Sequence, residues 1–220
     1  MEQIDIRKEE VIFDQHIESK KIYSILKRSI DIICSLLGLI FLSPLLLTVA
    51  ACIKIESKGT AIFTQNRVGI DGKVFKLYKL RSMVNNAEEL KCRLEKNNEM
   101  DGPMFKIRND PRVTKVGRFI RRTSIDEIPQ LINVLKGEMS LVGPRPSLQN
   151  EVDEFENWMI KRLAVKPGLT CYWQVSGRND IEFKEWMELD IKYIKERSIW
   201  VDIKLILKTV FVLFGDGHAR

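Results

Sequence analysis

IICSLLGLIFLSPLLLTVAACI, residues Ile32–Ile53, is an apolar stretch without a charged residue. At about 1.5 Å of rise per residue, a helix of this length can cross a hydrocarbon layer roughly 30 Å thick. Ser43 and Pro44 stand at its middle. Proline removes one helical hydrogen bond and clashes with the preceding turn, so a kink is expected there. The stretch therefore predicts a bent membrane segment.

Positive charges flank this stretch on both sides, with Lys20, Lys21, Lys27 and Arg28 before it and Lys54, Lys58, Arg67 and Lys73 after it. Basic residues mark the cytoplasmic ends of membrane segments, which places both flanks on one side. A single span cannot do that, whereas a re-entrant helix pair that enters and leaves by one leaflet can. A proline-kinked span and a hairpin both stay open on these residues alone.

Asp31 lies at the edge of the apolar stretch, where an unpaired charge would be costly. We therefore expect Lys27 or Arg28 to be its partner. An interfacial anchor pair and a catalytic role are both compatible with this position.

A second informative stretch is RFIRRTSIDEIPQLINVLKGEMSLVGPRP, Arg118–Pro146, in which Asp126 and Glu127 are adjacent carboxylates. The basic residues around its start are Lys106, Arg108, Arg112, Lys115, Arg118, Arg121 and Arg122, opposed only by Asp110. Guanidinium groups suit phosphate oxygens. Thr123 or Ser124 is expected to cap a helix over 125–135, whose N-terminus also favours a phosphate.

A carboxylate among such cations is expected to stay ionised. In that form it can attack phosphorus or bind a hard divalent cation. The alternative is a capped surface helix whose acids only pair with the arginines. The residues taken one by one leave both interpretations open.

The longer pattern Asp110–Pro146 closely resembles the signature of the bacterial sugar transferases, the monotopic polyprenyl-phosphate phosphoglycosyl transferases. Further matches in the same order are KRSID (Lys27–Asp31), Ser43-Pro44, QNRVGIDGKVFKLYKLRSM (Gln65–Met83), and VKPGLT with QVSGR within Val165–Arg178. The resemblance covers about Ile22 to the C-terminus. Family members usually have glycine where Cys171 stands, which puts the geometry of that loop in doubt.

The resemblance implies that Asp126 attacks the β-phosphate of a nucleotide-diphosphate sugar. It further implies that Glu127 binds metal or handles a proton, and that Mg²⁺ bridges the carboxylates Asp126 and Glu127 to the diphosphate. The implied phosphate- and substrate-binding residues are Lys79, Arg81, Arg118, Arg121, Arg122, Arg145 on the rigid Pro144-Arg145-Pro146 element, and Arg178. A solvated strand edge for Lys79 and Arg81, and a salt bridge for Arg178, are the structural alternatives.

The implied reaction moves a sugar-1-phosphate from a UDP-sugar to polyprenyl phosphate, such as undecaprenyl phosphate, and releases UMP. It would open a surface-glycan pathway, for exopolysaccharide, capsule or O-antigen. The implied location is the cytoplasmic face of a bacterial inner membrane, with a re-entrant helix broken at Ser43-Pro44 and in contact with lipids. We also expect a minimal catalytic form of the family.

These expectations define an α+β fold that is mostly α-helical. Residues 1–21 are a polar lead-in, 22–58 the membrane hairpin and 59–220 the catalytic domain. Asp71-Gly72 between two alternating runs predicts a β-hairpin. Amphipathic helices are expected over 153–165, 183–197 and 200–214. The last would either lie in the interface, with Trp200 at headgroup depth, or pack against the core.

Composition narrows the function classes. A net charge of +6 fits phosphorylated substrates, an anionic membrane or nucleic acid. The apolar stretch argues against a nucleic-acid-binding protein. The phosphate-binding motifs GxxxxGK[ST] and GxGxxG are absent from the sequence, which argues against a kinase, an ATPase or a Rossmann enzyme. His16 and His218 lie near the termini, which argues against an acid/base or metal site built on histidine. The cysteines lack CxxC spacing, so they indicate neither a zinc site nor a disulfide framework. The main rival is a non-catalytic membrane adaptor of a glycan-assembly complex; the oligomeric state, including a homo-oligomer, stays open.

Overall fold

The computed structural model describes residues 21–94, 98–99, 105, 107, 109–176 and 181–215. Its α-helices are α1 (Lys21–Glu56), α2 (Ala87–Leu94), α3 (Lys115–Arg122), α4 (Gln130–Lys136), α5 (Gln149–Asp153), α6 (Asn157–Ile160), α7 (Tyr172–Val175), α8 (Phe183–Glu196) and α9 (Ile199–Gly215). Its strands are β1 (Ile62–Val68), β2 (Val74–Leu80), β3 (Ser140–Val142) and β4 (Gly168–Thr170), and its 3-10 turns are Ile70–Gly72, Ile125–Glu127 and Lys161–Ala164. The predicted mostly helical α+β class is confirmed, while the division at residues 21 and 58 stays a prediction.

Helix α1 is long and apolar enough to cross a membrane by length and composition, and it stays α-helical through Ser43 and Pro44. The expected break is therefore absent from this described helix, and the hairpin stays a prediction. Pro44 has no N–H for the carbonyl of Ile40, four residues earlier. The Ser43 hydroxyl donates to that carbonyl at 2.8 Å. The serine thus satisfies the acceptor that the proline leaves open, which allows the helix to continue.

The first part of α1 is fixed by polar contacts. Arg28 donates from Nη1 to the carbonyl of Val134 at 2.6 Å and from Nη2 to that of Leu135 at 2.7 Å, at the end of α4. Cations are stabilised at the C-terminal end of a helix, where carbonyls lack intrahelical donors. This end of α1 is therefore tied to α4.

The expected pairing of Asp31 with Lys27 or Arg28 is wrong. Asp31 is buried and accepts from Ser140 Oγ at 3.0 Å and from the Leu141 amide at 2.9 Å. Lys27 instead pairs with a carboxylate of α9, Asp202, at 2.8 Å. Backbone and hydroxyl donors from β3 satisfy the aspartate, so it needs no basic partner on its own helix.

The far end of α1 contacts the same globular part of the chain. Val49 and Ile53 pack with Leu80 and Ile120 in one buried cluster. The Glu56 carboxylate accepts from the amides of the first turn of α3, the nearest at 2.7 Å. Between its two fixed ends the helix leaves large apolar side chains exposed, among them Ile40, Phe41 and Leu47.

Strands β1 and β2 form the predicted antiparallel hairpin. Asp71 and Gly72 lie in its turn with φ of 55° and 74°. Aspartate and glycine are among the residues that tolerate this left-handed region, which explains why Asp-Gly marks the turn. Lys79, near the end of β2, is carried by this hairpin.

A second sheet pairs β3 and β4 in parallel, and no sequence pattern had predicted it. The strands approach so closely that a Cβ on Gly168 would lie 2.1 Å from the Gly143 amide nitrogen. A Cβ on Gly143 would lie 2.4 Å from the Lys166 carbonyl oxygen. Glycine at both positions therefore allows the segment after β3 to lie against the start of β4.

The last two helices agree with their predicted ranges. Helix α8 buries Trp186, Met187, Tyr193 and Ile194. Helix α9 packs against the core through Leu205, and its other face exposes Trp200, Ile203, Leu207, Val210 and Phe211. The expected position of this helix in the membrane interface stays a prediction. The single helix expected over 153–165 is wrong, because α5, α6 and a 3-10 turn divide that segment.

Candidate active site

Asp126 lies in a 3-10 turn between two helices rather than in the first turn of one helix. The predicted cap is therefore wrong. Thr123 Oγ1 donates back to the carbonyl of Phe119 at 2.9 Å, and Ser124 has φ of 55° without a side-chain cap bond. The chain reverses at this left-handed residue, and the following turn carries Asp126 and Glu127 between α3 and α4.

Asp126 is buried, with 8% of its surface exposed. Burial raises the pKa of its carboxyl from 3.8 to about 6, and neighbouring Glu127 adds to the increase. The positive charges of Lys79, Arg121 and Arg145 act in the opposite direction but do not cancel the burial. With a pKa of about 6, the carboxylate is mostly ionised near neutral pH, as expected, although burial and not the surrounding cations dominates its pKa.

Glu127 is the centre of an ion-pair group. Its Oε1 lies 2.7 Å from Lys79 Nζ and 3.7 Å from Arg145 Nη1. The Arg145 guanidinium also lies over the Trp173 ring, 5.9 Å from its centroid. Strand β2, the 3-10 turn Ile125–Glu127 and the segment after β3 therefore each bring one charged side chain to the same place.

The arginines of α3 are not equivalent. Arg121 donates from Nε to Ser82 Oγ at 2.8 Å, and the charge of Asp126 acts on its guanidinium. All three arginines of α3, Arg118, Arg121 and Arg122, are exposed, so the contact with Ser82 and the interaction with Asp126 are what set Arg121 apart. The structure thus brings Arg121 to the site, while a role for Arg118 and Arg122 stays a prediction.

The Arg81 side chain binds the backbone that follows the end of α1. Its guanidinium donates to the carbonyls of Ser57 and Lys58 at 2.8 and 2.7 Å, and to Ser57 Oγ at 3.0 Å. The side chain is buried. The expectation that it shares a substrate-facing surface with Lys79 is therefore corrected, because backbone acceptors occupy it. Arg178 lies outside the described residues.

The charged group borders a small, open cleft. The residues that line it are Arg67, Leu77, Lys79, Glu127, Gln130, Arg145, Pro146, Gly168, Leu169 and Gln174. Arg67, Gln130 and Gln174 were not among the predicted site residues. Arg67 lies within the QNRVG stretch that carries the family resemblance, and this position in the sequence could have identified it as a site residue. Burial and the charge of Arg145 lower its pKa to about 10.

Cys171, which stands where the family usually has glycine, does not distort its loop. Its φ of −157° belongs to extended backbone that any residue adopts. Its side chain is fully buried in the core cluster that includes Val142 and Leu205. Burial raises the pKa of the thiol well above its ordinary value. The cysteine is therefore a core residue, and the loop does not need glycine here.

Comparison with known proteins agrees with this arrangement. The family model described as bacterial sugar transferase matches residues 22–216. The chain belongs to the bacterial sugar transferase family. It is 49% identical over 195 residues to a galactosyl transferase, CpsE, of Streptococcus agalactiae serotype III (strain NEM316), covering 88% of this chain and 43% of that protein.

Two further relatives match at lower identity. The undecaprenyl-phosphate galactose phosphotransferase of Salmonella typhimurium is 45% identical over 207 residues, covering 90% of this chain and 43% of the relative. The exopolysaccharide production protein ExoY of Sinorhizobium fredii is 37% identical over 195 residues, covering 87% and 86%. The chain thus spans less than half of the first two relatives and most of the third.

Asp126 and Glu127 would suit a magnesium ion that is held jointly with substrate phosphates and water. No group of three or more His, Cys, Asp or Glu side chains converges among the residues that the structure describes. Mg²⁺ is commonly bound by one or two carboxylates together with water and substrate phosphates. Asp126 is the better of the two predicted ligands, because Lys79 already pairs with Glu127.

Proposed function

We propose that this chain transfers a sugar-1-phosphate from a UDP-sugar to a polyprenyl phosphate and releases UMP. The observation that carries the proposal is a buried carboxylate, Asp126, whose neighbour Glu127 lines a cleft together with Lys79, Arg67 and Arg145. Cations along a cleft favour a diphosphate, and a carboxylate beside them is a suitable nucleophile. The relatives from Streptococcus and Salmonella are named as a galactosyl transferase and an undecaprenyl-phosphate galactose phosphotransferase, which supports a reaction of this class.

In the first step, an Asp126 carboxylate oxygen attacks the β-phosphorus of the UDP-sugar. A bond forms between this oxygen and phosphorus, and the bond from phosphorus to the bridging oxygen breaks. The electron pair leaves on that oxygen with UMP, and an aspartyl phospho-sugar remains. The pKa of about 6 leaves Asp126 mostly ionised near neutral pH, while burial keeps the anion poorly solvated and reactive.

In the second step, a phosphate oxygen of the polyprenyl acceptor attacks the same phosphorus. The new bond makes the polyprenyl-diphospho-sugar, and the carboxylate of Asp126 leaves unchanged. Arg145 and Lys79 hold the phosphate oxygens during both steps, since both side chains border the cleft. Glu127 keeps these two cations in position and accepts the proton of the acceptor phosphate.

Mg²⁺ held by Asp126 and the diphosphate, with Glu127 beside them, would neutralise oxygen charge and let one anion approach another. The remaining charge neutralisation comes from the chain itself. Lys79 and Arg121 both act on the Asp126 carboxylate electrostatically. Their positive charge lowers the repulsion between the nucleophile and the phosphate oxygens that it must pass.

We further propose that α1 enters and leaves the cytoplasmic leaflet of the bacterial inner membrane. Arg28 near its start and Glu56 at its end contact α4 and α3, the two helices on either side of Asp126. The ends of a helix that crossed a bilayer would face opposite aqueous sides and could not both bind this one unit. The exposed apolar face of α9, with Trp200, supports an adjacent position in the interface.

The test is UMP release from a panel of UDP-sugars by detergent-purified protein with Mg²⁺ and undecaprenyl phosphate. Wild type is expected to release UMP from one donor in an acceptor-dependent way. Asp126→Asn is expected to lower the rate by about 10⁴-fold or more, as for loss of other catalytic nucleophiles. A mutant with full activity would refute the nucleophile and favour the membrane adaptor instead.

A further inference from the structure

The Pro144-Arg145-Pro146 turn is held by more than its prolines. Four consecutive carbonyls each accept a hydrogen bond. The Gly168 amide donates to the Pro144 carbonyl at 2.9 Å, and the Val68 amide donates to the Ser147 carbonyl at 2.8 Å. Between them, Arg162 Nη2 donates to the Arg145 carbonyl at 2.9 Å and Arg67 Nη1 donates to the Pro146 carbonyl at 3.1 Å. Two of these donors belong to buried arginine side chains.

Arg162 connects the turn to the core. Its Nη2 lies 2.6 Å from an oxygen of Asp190 on α8, and its Nη1 donates to Ser147 Oγ at 2.5 Å. The guanidinium also lies over the rings of Phe155 and Trp186, at 5.5 and 5.8 Å. One rigid planar group thus joins helix α8 to the Arg145 carbonyl and to the Ser147 hydroxyl, on the two sides of Pro146.

Stability alone is a weak reason for such a pair. The Arg162 and Asp190 side chains are 2% and 0% exposed, so both charges have lost their hydration. Replacing a buried ion pair with well-packed apolar side chains is often neutral or stabilising. An apolar pair could not, however, donate to the Arg145 carbonyl and to Ser147 at the same time.

The anchored residue is the one that faces the site. The backbone of Arg145 is bound by Arg162, while its side chain reaches Glu127 at 3.7 Å and borders the cleft. A guanidinium needs a fixed base to bind a phosphate without further loss of conformational entropy. Fixing the carbonyl of a residue between two prolines restricts the backbone from which that side chain extends.

We propose that Arg162, oriented by Asp190, is a positioning residue that places the Arg145 guanidinium for phosphate binding. Arg162 does not line the cleft, so it acts through Arg145. The inference rests on the proposed transferase function. Asp190, which is fully buried on α8, supplies the countercharge.

Lysine is the informative replacement for Arg162. It keeps the positive charge opposite Asp190 but has one ammonium group instead of a planar fork. It therefore cannot reach Asp190, Ser147 and the Arg145 carbonyl with the geometry of the guanidinium. Met187→Ala, in the core beside Trp186, is a matched control that loosens α8 without touching the turn.

The experiment is a double-mutant cycle of Arg162→Lys and Arg145→Met on the full chain in detergent, with kcat and KM measured for the reactive UDP-sugar. Arg162→Lys is expected to lower kcat/KM by about tenfold to a hundredfold, mainly through KM. In the Arg145→Met background it is expected to add less than about twofold, because the two residues act as one unit. Met187→Ala, with a similar loss of Tm, leaves KM unchanged.

Hydrogen exchange of the peptide 143–149 gives a second measurement that needs no substrate. Arg162→Lys is expected to increase exchange there, and Met187→Ala is not. Equal, additive losses in both backgrounds, or unchanged exchange in Arg162→Lys, would overturn the positioning role. If wild type releases no UMP from any donor, the transferase proposal fails, and the exchange comparison alone decides whether Arg162 fixes the turn.

Discussion

The end of α1 and the turn that carries Asp126 both contain basic side chains, but they use them differently. Arg81 directs its guanidinium at backbone carbonyls after α1, and Arg28 does the same at the end of α4. Lys79 and Arg145 instead face the carboxylate of Glu127 beside an open cleft. Arginines that complete helix ends are structural, whereas those held next to a carboxylate at a cleft are available to an anionic substrate.

The first way to test this contrast is to remove Arg145. Arg145→Met is expected to lower kcat/KM for the UDP-sugar by about a hundredfold, because a cation that faces phosphate is lost. Its Tm is expected to stay close to that of wild type, since the side chain is partly exposed and its interactions are a 3.7 Å ion pair with Glu127 and a position over the Trp173 ring. Arg93→Met on the exposed face of α2 is the control, and an equal loss there would mean that general surface charge is responsible.

The converse test is Arg81→Met. It leaves two backbone carbonyls and the Ser57 hydroxyl without their buried donor, which we expect to cost about 2–3 kcal/mol of folding free energy. Activity per folded molecule is expected to change less than about threefold. Chemical denaturation in detergent, with activity measured on the folded fraction, checks both statements. A stable but inactive Arg81→Met protein would return this residue to the substrate site.

A third test uses the raised pKa of Asp126. Between 3.8 and about 6 the folded chain keeps a proton that the unfolded chain has lost, so the free energy of unfolding falls as pH rises through this window. Asp126→Asn mimics the protonated form and is expected to gain about 1–3 kcal/mol near pH 7.5, while losing activity. The gain should disappear below pH 4. A mutant that is less stable than wild type at neutral pH would contradict the cost of burial.

The smallest expected effect concerns Ser43. Ser43→Ala removes the donor to the Ile40 carbonyl that Pro44 cannot satisfy, which we expect to destabilise α1 by about 1 kcal/mol. Thr48→Ala is the matched control, because its hydroxyl donates to the Pro44 carbonyl, which keeps a helical backbone donor. Thermal unfolding of both variants in the same detergent compares them. Equal shifts would mean that the serine does not replace the missing proline donor.

Local signals in the sequence predicted local structure well. Asp71-Gly72 gave the hairpin, and the apolar spacing of α8 and α9 gave their ranges. The parallel pair of β3 and β4 escaped prediction because each strand has three residues and its partner lies far along the chain. Such short strands leave no measurable periodicity.

The candidate site was predicted only as far as the resemblance extends. It pointed to Asp126, Glu127, Lys79 and Arg145, which the structure brings to one region, but it also included Arg81. Nothing in a sequence shows which acceptor an arginine reaches, and the carbonyls after α1 become visible only in the fold. The raised pKa of Asp126 likewise depends on burial that charge counting cannot show.

The central claim is that Asp126 forms a covalent phospho-sugar. The most direct measurement is to mix the detergent-purified protein with Mg²⁺ and the reactive UDP-sugar without acceptor, then analyse it by quench and peptide mass spectrometry. We predict a burst of at most one UMP per chain and a phospho-sugar adduct on the peptide with Asp126, discharged by undecaprenyl phosphate. Acceptor-dependent turnover without burst or adduct, or an adduct retained in Asp126→Asn, would contradict the account.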